Sequence, residues 1–328
     1  MKPRTQRAYA PTSNNTTETT GVIGRYGVGH VAESPNTSTT SNENDEETSA
    51  KQRSRTEESP LMERFSYGFA DGVSIARRNM IKVIRVPGIL VGVLVTPIIM
   101  VLMFAFVFGS SIDIPGGSYR EFLVAGAFAL NLAFGATVTG AGLADDMQKG
   151  IINRFRSLPM SRSAVVFGRT ASDVIYNVLT LVVMAIAGIL VGWRIHNGIG
   201  SALLGFGLLL LFAYAISWVM AYVGLVVPSV EVVNSASAMV IFPLTFIANT
   251  FVPAENLPTP LRIFAEWNPV SAVTQGAREL FGNLPPGTPE PTVWPLQNPV
   301  LYTLIWVVLI IAVAAPLAIS RYKSAAAK

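Results

Sequence analysis

The chain has 328 residues, of which 51% are hydrophobic and only 13% are charged, and its formal net charge is +4 at pH 7. Soluble domains carry about 25% charged residues, so this composition excludes an ordinary soluble domain and indicates a polytopic membrane protein. The chain has no cysteine, which excludes disulfides, a thiolate nucleophile and a cysteine metal site. The two histidines, His30 and His196, have no second ligand at metal spacing, so no metal site is expected.

The first 86 residues contain no apolar run long enough to cross a membrane. Residues 1–60 are rich in Ser, Thr, Asn and Glu and cannot bury enough apolar surface to offset chain entropy, which predicts a disordered cytoplasmic tail. Its many Ser and Thr residues leave open a phosphorylation platform. Residues 61–86 are predicted to form an amphipathic interfacial helix that ends at Pro87, because apolar residues recur at helical spacing between Ser66 and Arg85.

Residues 87–322 are predicted to form a transmembrane domain of six helices. A bilayer core of roughly 30 Å needs about 20 apolar residues in a helix. Continuous apolar runs are typical of single spanning helices, since barrel strands alternate in polarity. The fold class is therefore all-α integral membrane. Six runs without a charged residue qualify: Gly88 to Phe108, Phe122 to Gly142, Val174 to Trp193, Ile199 to Val227, Val232 to Val252, and Val300 to Ile319.

The basic residues predict the orientation. Six spans put both termini on one side, together with residues 143–173 and the turn 228–231, and that side holds 20 of the 24 lysines and arginines. The positive-inside rule makes it cytoplasmic, including the C-terminal tail 323–328. Because the basic residues flank apolar runs, they also argue against nucleic acid as a partner. The four basic residues on the external side are Arg120, Arg194, Arg262 and Arg278.

The external stretch 253–299 carries two short helical patterns separated by Trp267-Asn268-Pro269. Both are too short to span a bilayer. They are predicted to be re-entrant helices, which either dip into the outer leaflet or cap the external mouth.

Residues 145–159 form a short charged segment between two apolar runs. Met147, Ile151, Phe155 and Leu158 share one face if the segment is helical, and Leu158-Pro159 would end the helix. Asp145 and Asp146 would stand at its start, where the helix dipole favours acidic groups. The segment is either an ordinary basic loop lying on lipid or a docking helix for a soluble partner.

These residues also carry a family resemblance. Gly142 to Asp146, Gly150 to Ser163 and Gly168-Arg169 closely resemble type-2 ATP-binding-cassette (ABC) exporter permeases, above all the daunorubicin-resistance (DrrB-like) subgroup. Further similarity lies in Arg85-Val86-Pro87 and Phe106 to Gly109 near the first span, and in Asn268 to Val273 and Arg278 of the external region. The resemblance covers residues 64–322, and the N-terminal tail lies outside it.

The resemblance implies a non-catalytic permease subunit in the plasma membrane. The sequence agrees, because it has no G-x-x-x-x-G-K-[ST] phosphate loop and no Gly-Lys dipeptide. ATP and Mg²⁺ would be bound by a separate ABC ATPase subunit, and two permease subunits, alike or different, would assemble with two ATPases. Glu231 would make a second ATPase contact, or it simply marks the membrane edge. The implied docking residues are Met147, Lys149, Gly150, Ile151, Arg154, Phe155, Arg156 and Leu158.

Polar side chains near or inside the spans supply the remaining candidates. Arg169 and Asp173 are four residues apart at the start of the third span, where they either neutralise each other as a structural pair or form a hinge that couples the docking helix to the span. Other polar and aromatic residues either hold helices together or line a substrate path. These candidate path residues are Asn131, Tyr214, Trp218, Tyr222, Thr245 and Asn249; Asn177 has the same two interpretations.

The absence of Asp, Glu or Lys from the middle of the spans argues against an ion-coupled transporter. It favours export of a lipophilic drug or an envelope lipid from the cytoplasm or inner leaflet. A polysaccharide exporter and a non-transporting scaffold that recruits a cytoplasmic protein remain alternatives.

Overall fold

The computed structural model describes residues 87–108, 118–150, 162–284, 287 and 290–325. All of them lie in the unit Ser59–Lys328. The predicted tail 1–60, the predicted amphipathic helix 61–86 and most of the predicted docking helix lie outside the described residues.

The described residues are helical and contain no strand. Ten α-helices are α1 Pro87–Met103, α2 Tyr119–Gly135, α3 Thr137–Gln148, α4 Arg162–Val191, α5 Gly198–Val226, α6 Val230–Phe246, α7 Thr259–Trp267, α8 Pro269–Phe281, α9 Trp294–Gln297 and α10 Pro299–Ala325. A π-helical turn, Phe104–Phe108, follows α1, and a 3-10 turn, Ala254–Asn256, precedes α7.

The all-α membrane fold is confirmed, and each predicted span corresponds to an apolar helix. Four helical stretches are long and apolar enough to cross a membrane: Tyr119–Gln148, Gly168–Val191, Gly198–Val226 and Pro299–Ser324. The first and fifth predicted spans correspond to shorter apolar helices, Val95–Val107 and Val230–Phe246. The count of six crossings remains a prediction.

The fifth predicted span is too long by one turn and a half. Its apolar run reaches Val252, but α6 ends at Phe246 and a turn follows at 247–252. Pro243 lies inside α6 and lacks an N–H for the helical ladder, and the Thr245 hydroxyl donates to Ile241 O at 2.6 Å. The turn is buried by tertiary contacts, including a 2.9 Å hydrogen bond from the Tyr119 hydroxyl to Phe251 O. The apolar character of residues 247–252 therefore reflects their burial in the protein and not a continuation of the helix.

The bundle has two distinct ends. We call the end that holds Gln148, the turn 227–229 and the last turn of α10 the base. The opposite end, which holds the loop 192–197 and helices α7 to α9, is the rim. Chain direction alternates, so α4 runs from base to rim and α5 returns from rim to base.

Each end has its own hydrophobic core. The rim core centres on Phe128, Trp193, Phe206 and Phe281, whose ring centroids lie 4.9–6.4 Å apart. The smaller base core joins α3, α4, α5 and α10. Its buried members are Leu143, Val166, Trp218, Ala221, Leu225, Ala314, Ala318 and Tyr322.

Candidate functional site

The predicted docking helix 145–159 does not begin at Asp145, because α3 continues as far as Gln148. Gly150 has φ +62°, the left-handed conformation in which helices commonly end. Asp145 and Asp146 therefore lie in the last turn of α3, where the helix dipole disfavours carboxylates, and not in the first turn of a docking helix. Its predicted first residues are thus the end of the preceding span.

Basic side chains offset both carboxylates. Lys149 Nζ lies 2.7 Å from Asp145 Oδ2, with 61% and 40% of the two side chains exposed. Arg169 Nη1 of α4 lies 3.5 Å from Asp146 Oδ2, and this pair is largely buried. Gly142 makes room for it, since a Cβ there would collide with the guanidinium. Helices α3 and α4, which flank the segment 151–161, are thereby joined.

Arg169 and Asp173 do not form the direct ion pair predicted for them. Among the described residues no ion pair joins them, because the guanidinium turns towards α3. Asp173 lies inside the candidate span Gly168–Val191 and not before it, and it is only 8% exposed. The described part of the chain supplies no hydrogen-bond partner for its Oδ2 atom. Asp173 thus lies near the base end of this span, outside the middle, to which the expectation of no acidic residue applied.

The end of α3 meets the turn that precedes α6. Gln148 Nε2 donates to Pro228 O at 3.1 Å. Ser229 caps α6 by accepting a hydrogen bond from Val232 N at 3.3 Å, and Glu231 is exposed in the first turn. The structure thus brings Lys149, Gly150 and Glu231 to the base.

The other predicted docking residues lie outside the described residues. These are Ile151, Arg154, Phe155, Arg156 and Leu158. Met147 is described and packs at the edge of the base core. Docking by the whole group stays a prediction.

Helices α3 and α5 approach backbone to backbone near the base. A Cβ on Gly224 would collide with Gly140 O, and a Cβ on Gly140 would lie 2.7 Å from Met220 O. Small residues permit such close contact between membrane helices. A displacement of α3 at this point must also displace α5.

The six predicted path residues fall into three regions. Tyr214, Trp218 and Tyr222 share one face of α5 and pack with the base core. Asn131 Nδ2 lies 3.5 Å from Met100 Sδ, between α2 and α1. Thr245 bonds within α6, and Asn249 belongs to the rim network described below. The described structure does not assemble them into one lining, so a path along them remains a prediction.

One side of helix α6 is exposed, and the residues on it were not among the candidates predicted from the sequence. Val233, Ser237, Ile241 and Thr245 form its buried stripe at intervals of four residues. The opposite side is exposed and combines one hydroxyl with apolar groups: Val232, Ser235, Met239, Phe242 and Phe246. Ser235, one turn after Glu231, was the available signal.

The rim is organised around Arg278, which the sequence placed among the external charges. Its side chain is 0% exposed. Nε donates to Phe122 O at 2.9 Å, Nη1 to Asn249 Oδ1 at 3.2 Å and Nη2 to Thr250 O at 2.8 Å. The guanidinium carbon also lies 3.4 Å from the centroid of the Phe122 ring. Arg278 therefore joins α8 to α2 and to the turn 247–252.

The acceptors of Arg278 are carbonyl and amide oxygens. In the described residues no carboxylate forms an ion pair with it. Asn249 continues the network, because its Nδ2 donates to Gln275 Oε1 at 3.3 Å and its backbone N to Ser271 Oγ at 3.0 Å. A buried charge is tolerated when hydrogen bonds satisfy it, so these oxygen atoms stabilise the buried guanidinium of Arg278.

Comparison with known proteins identifies the family. The model of the ABC-2 type transporter family matches residues 73–281. Over 204 residues the chain is 30% identical to "Daunorubicin resistance ABC transporter permease protein DrrB1" of Streptomyces coeruleorubidus, covering 62% of this chain and 72% of that protein. Over 232 residues it is 24% identical to "Probable doxorubicin resistance ABC transporter permease protein DrrC" of Mycobacterium tuberculosis, covering 70% and 80%. It is 22% identical over 214 residues to "Putative transport permease ycf38" of Porphyra purpurea, covering 64% and 73%.

These matches confirm the resemblance drawn from the docking segment and the external motif. Permeases of this family are non-catalytic membrane subunits that work with a separate ATPase and generally dimerise. The chain belongs to the ABC-2 type transporter family and is the membrane permease subunit of an ABC exporter.

Proposed function

We propose that this permease exports a lipophilic drug or an envelope lipid. The structural observation that carries the proposal is the exposed face of α6, on which the Ser235 hydroxyl stands beside Met239 and Phe242. A largely apolar face with one hydroxyl group suits a lipophilic molecule better than a highly hydrated one. The relatives named for daunorubicin and doxorubicin resistance support a drug-like cargo.

In this proposal the base faces the cytoplasm and the membrane is the plasma membrane. Lys149 and Arg169 at the base, with Arg321 and Lys323 at the end of α10, follow the positive-inside pattern. Both termini would then be cytoplasmic.

The ATPase would dock on the base. Residues 145–159 would contact it together with Glu231, and that subunit would bind ATP and Mg²⁺. The ion pair between Asp146 and Arg169 would transmit the movement of the ATPase to α3 and α4 as a rigid-body shift. The contact of Gly140 with Gly224 would pass the shift to α5.

A second permease subunit would cover part of the exposed face of α6. The half of α6 that packs within its own subunit is the stripe from Val233 to Thr245. Cargo would move between the two exposed faces, and membrane lipid would contact the remaining apolar surface.

The test is ATP-dependent accumulation of daunorubicin in inside-out vesicles that contain the chain and its co-expressed ATPase. We expect Arg154→Glu to abolish accumulation and co-purification of the ATPase. The matched control is Arg321→Glu, which makes the same charge change at the base away from the docking segment. Wild-type transport by Arg154→Glu would contradict the docking assignment.

The cargo is tested separately. We expect Ser235→Leu, which removes the hydroxyl from the exposed face of α6, to lower daunorubicin accumulation while the ATPase still co-purifies. ATPase association without accumulation of either daunorubicin or a fluorescent phospholipid in the wild type would contradict a lipophilic cargo. A wild-type chain that purifies without any ATPase would favour the scaffold.

A further inference from the structure

The side chain of Asp173 lies inside the bundle, near the base end of the candidate span in α4. Among the described residues, none is a hydrogen-bond partner of its Oδ2 atom. Thr170 and Asn177 lie one turn to either side of it on the same buried face of the helix, so its surroundings are polar. A buried carboxylate oxygen without a partner is costly, which indicates that a donor reaches Asp173 in another conformation.

Arg169 is within reach of Asp173, because side chains four residues apart are neighbours on a helix. Its present contacts with α3 are long: Nη1 lies 3.5 Å from Asp146 Oδ2, and Nη2 lies 3.4 Å from Val138 O. Hydrogen bonds between charged groups are usually about 2.7–2.9 Å long. The guanidinium is therefore held loosely by one carboxylate and has a second carboxylate one helical turn away.

Helix α3 contacts α5 and α4 in different ways. Its backbone packs against α5 at Gly140 and Gly224, so these two helices cannot separate without losing close contact along the backbone. Arg169 joins α3 to α4 through side-chain contacts, which a change of rotamer can break, and Gly142 leaves the space that the guanidinium fills. The junction between α3 and α4 is therefore the easier of the two to open.

We propose that Asp173 is a positioning residue for transport, which receives the Arg169 guanidinium when α3 separates from α4 at the base. The proposal rests on the proposed function, in which the ATPase moves the base. The two helices shift together while Arg169 holds Asp146, and the exchange to Asp173 ends that shared movement and releases α3. Without a second carboxylate, the separation would leave a buried guanidinium unpaired, which is strongly unfavourable.

The exchange is tested first on the full-length permease alone. Gly142→Ala places a methyl group where the guanidinium lies, so Arg169 must leave α3 and turn to Asp173. We expect Gly142→Ala combined with Asp173→Asn to raise the unfolding constant in detergent about fivefold beyond the product of the two single effects. The matched control is Gly207→Ala combined with Asp173→Asn, which should show no coupling, because a Cβ at Gly207 meets nothing within 4 Å.

Independent effects in both pairs of variants would overturn the proposal, since Arg169 would then not use Asp173. If Gly142→Ala does not fold, Asp146→Asn takes its place, because it weakens the original ion pair without adding bulk.

The role in transport is tested on the complex with the co-expressed ATPase. Asp146→Asn removes the partner of Arg169 in the present conformation, and Asp173→Asn removes it in the second conformation. We therefore expect the two variants to shift the affinity for a non-hydrolysable ATP analogue in opposite directions, each by about fivefold. Thr180→Val, on the same buried face of α4, is the control and should leave that affinity unchanged.

Shifts in the same direction, or no shift in either variant, would overturn the proposal, because a purely structural role would affect both variants alike. A wild-type permease that purifies without an ATPase would contradict the proposed function. The unfolding comparison would then decide by itself whether Arg169 exchanges its partner.

Discussion

The exposed ion pair at the base and the buried arginine at the rim hold their charges in opposite ways. At the base, Lys149 and Asp145 form an exposed pair, whereas Arg169 and Asp146 form a second pair that is largely buried between α4 and α3. At the rim, Arg278 is removed from solvent and bonded to two parts of the chain that are distant in sequence, α2 and the turn 247–252. Exposed pairs contribute little stability, and they can exchange partners at small cost. A buried arginine bonded to carbonyl oxygens cannot exchange its partners at small cost, since each lost hydrogen bond leaves a buried acceptor unsatisfied.

The two ends of the bundle therefore differ in the role of their charged residues. The base has charges that are available to a soluble subunit, and the rim has a network that fixes α8 against α2. We therefore expect substitutions at the rim to act on stability first, and substitutions at the exposed base to act on association with the ATPase.

The largest effect is expected for Arg278→Met. Loss of the guanidinium leaves Asn249 Oδ1 and Thr250 O without this donor and opens a cavity, so the free energy of unfolding should fall by roughly 3–5 kcal/mol. Denaturant unfolding in detergent measures it. Arg262→Met, at an exposed rim position, is the control and should change stability by less than about 0.5 kcal/mol. Equal losses of stability in the two variants would contradict a special structural role for the buried Arg278 network.

A smaller effect is expected where α3 touches α5. Gly224→Ala places a methyl group against Gly140 O, and the helices must separate, at a cost of roughly 1–3 kcal/mol. Gly207→Ala on the same helix is the control, because a Cβ there meets nothing within 4 Å. Thermal unfolding of the two variants provides the comparison, and an unchanged midpoint for Gly224→Ala would contradict the close packing.

The buried pair at the base tests whether its partners can exchange. In Asp146→Asn the Arg169 guanidinium can turn to Asp173, which lies one helical turn away. The double variant should therefore lose more stability than the two single variants lose when their effects are added. We expect a coupling energy of about 1 kcal/mol in a double-mutant cycle of Asp146→Asn with Asp173→Asn. Strict additivity would show that Asp173 does not substitute for Asp146.

The smallest effect on stability is expected for Lys149→Ala. Its ion pair with Asp145 is exposed, so the free energy of unfolding should change by less than about 0.5 kcal/mol. The same denaturant titration measures it. A loss above about 1 kcal/mol would place Lys149 with the buried groups and weaken the contrast between the two ends.

Long uninterrupted patterns were predicted well, and positions that depend on distant partners were not. The run Ile199 to Val227 became α5, Gly198–Val226, with one residue of difference at each end. The predicted docking helix was started too early, because apolar spacing continues through Gly150, whose left-handed conformation follows the end of α3. Residues 151–159 lie outside the described residues, so their docking role stays a prediction, as do the substrate path and the membrane orientation.

The sequence alone determined the membrane class, the apolar helices and the permease family. Transfer of a helix into lipid is a sum over the residues of one continuous run, so it can be evaluated locally. Tertiary structure alone decided that Arg169 pairs with Asp146, that the turn 247–252 is buried and that Arg278 is a buried link and not an external charge. The acceptor Phe122 O lies 156 residues from Arg278 in the chain. The burial of a charged group depends on which partners packing brings to it, and local pattern contains no information about partners so distant.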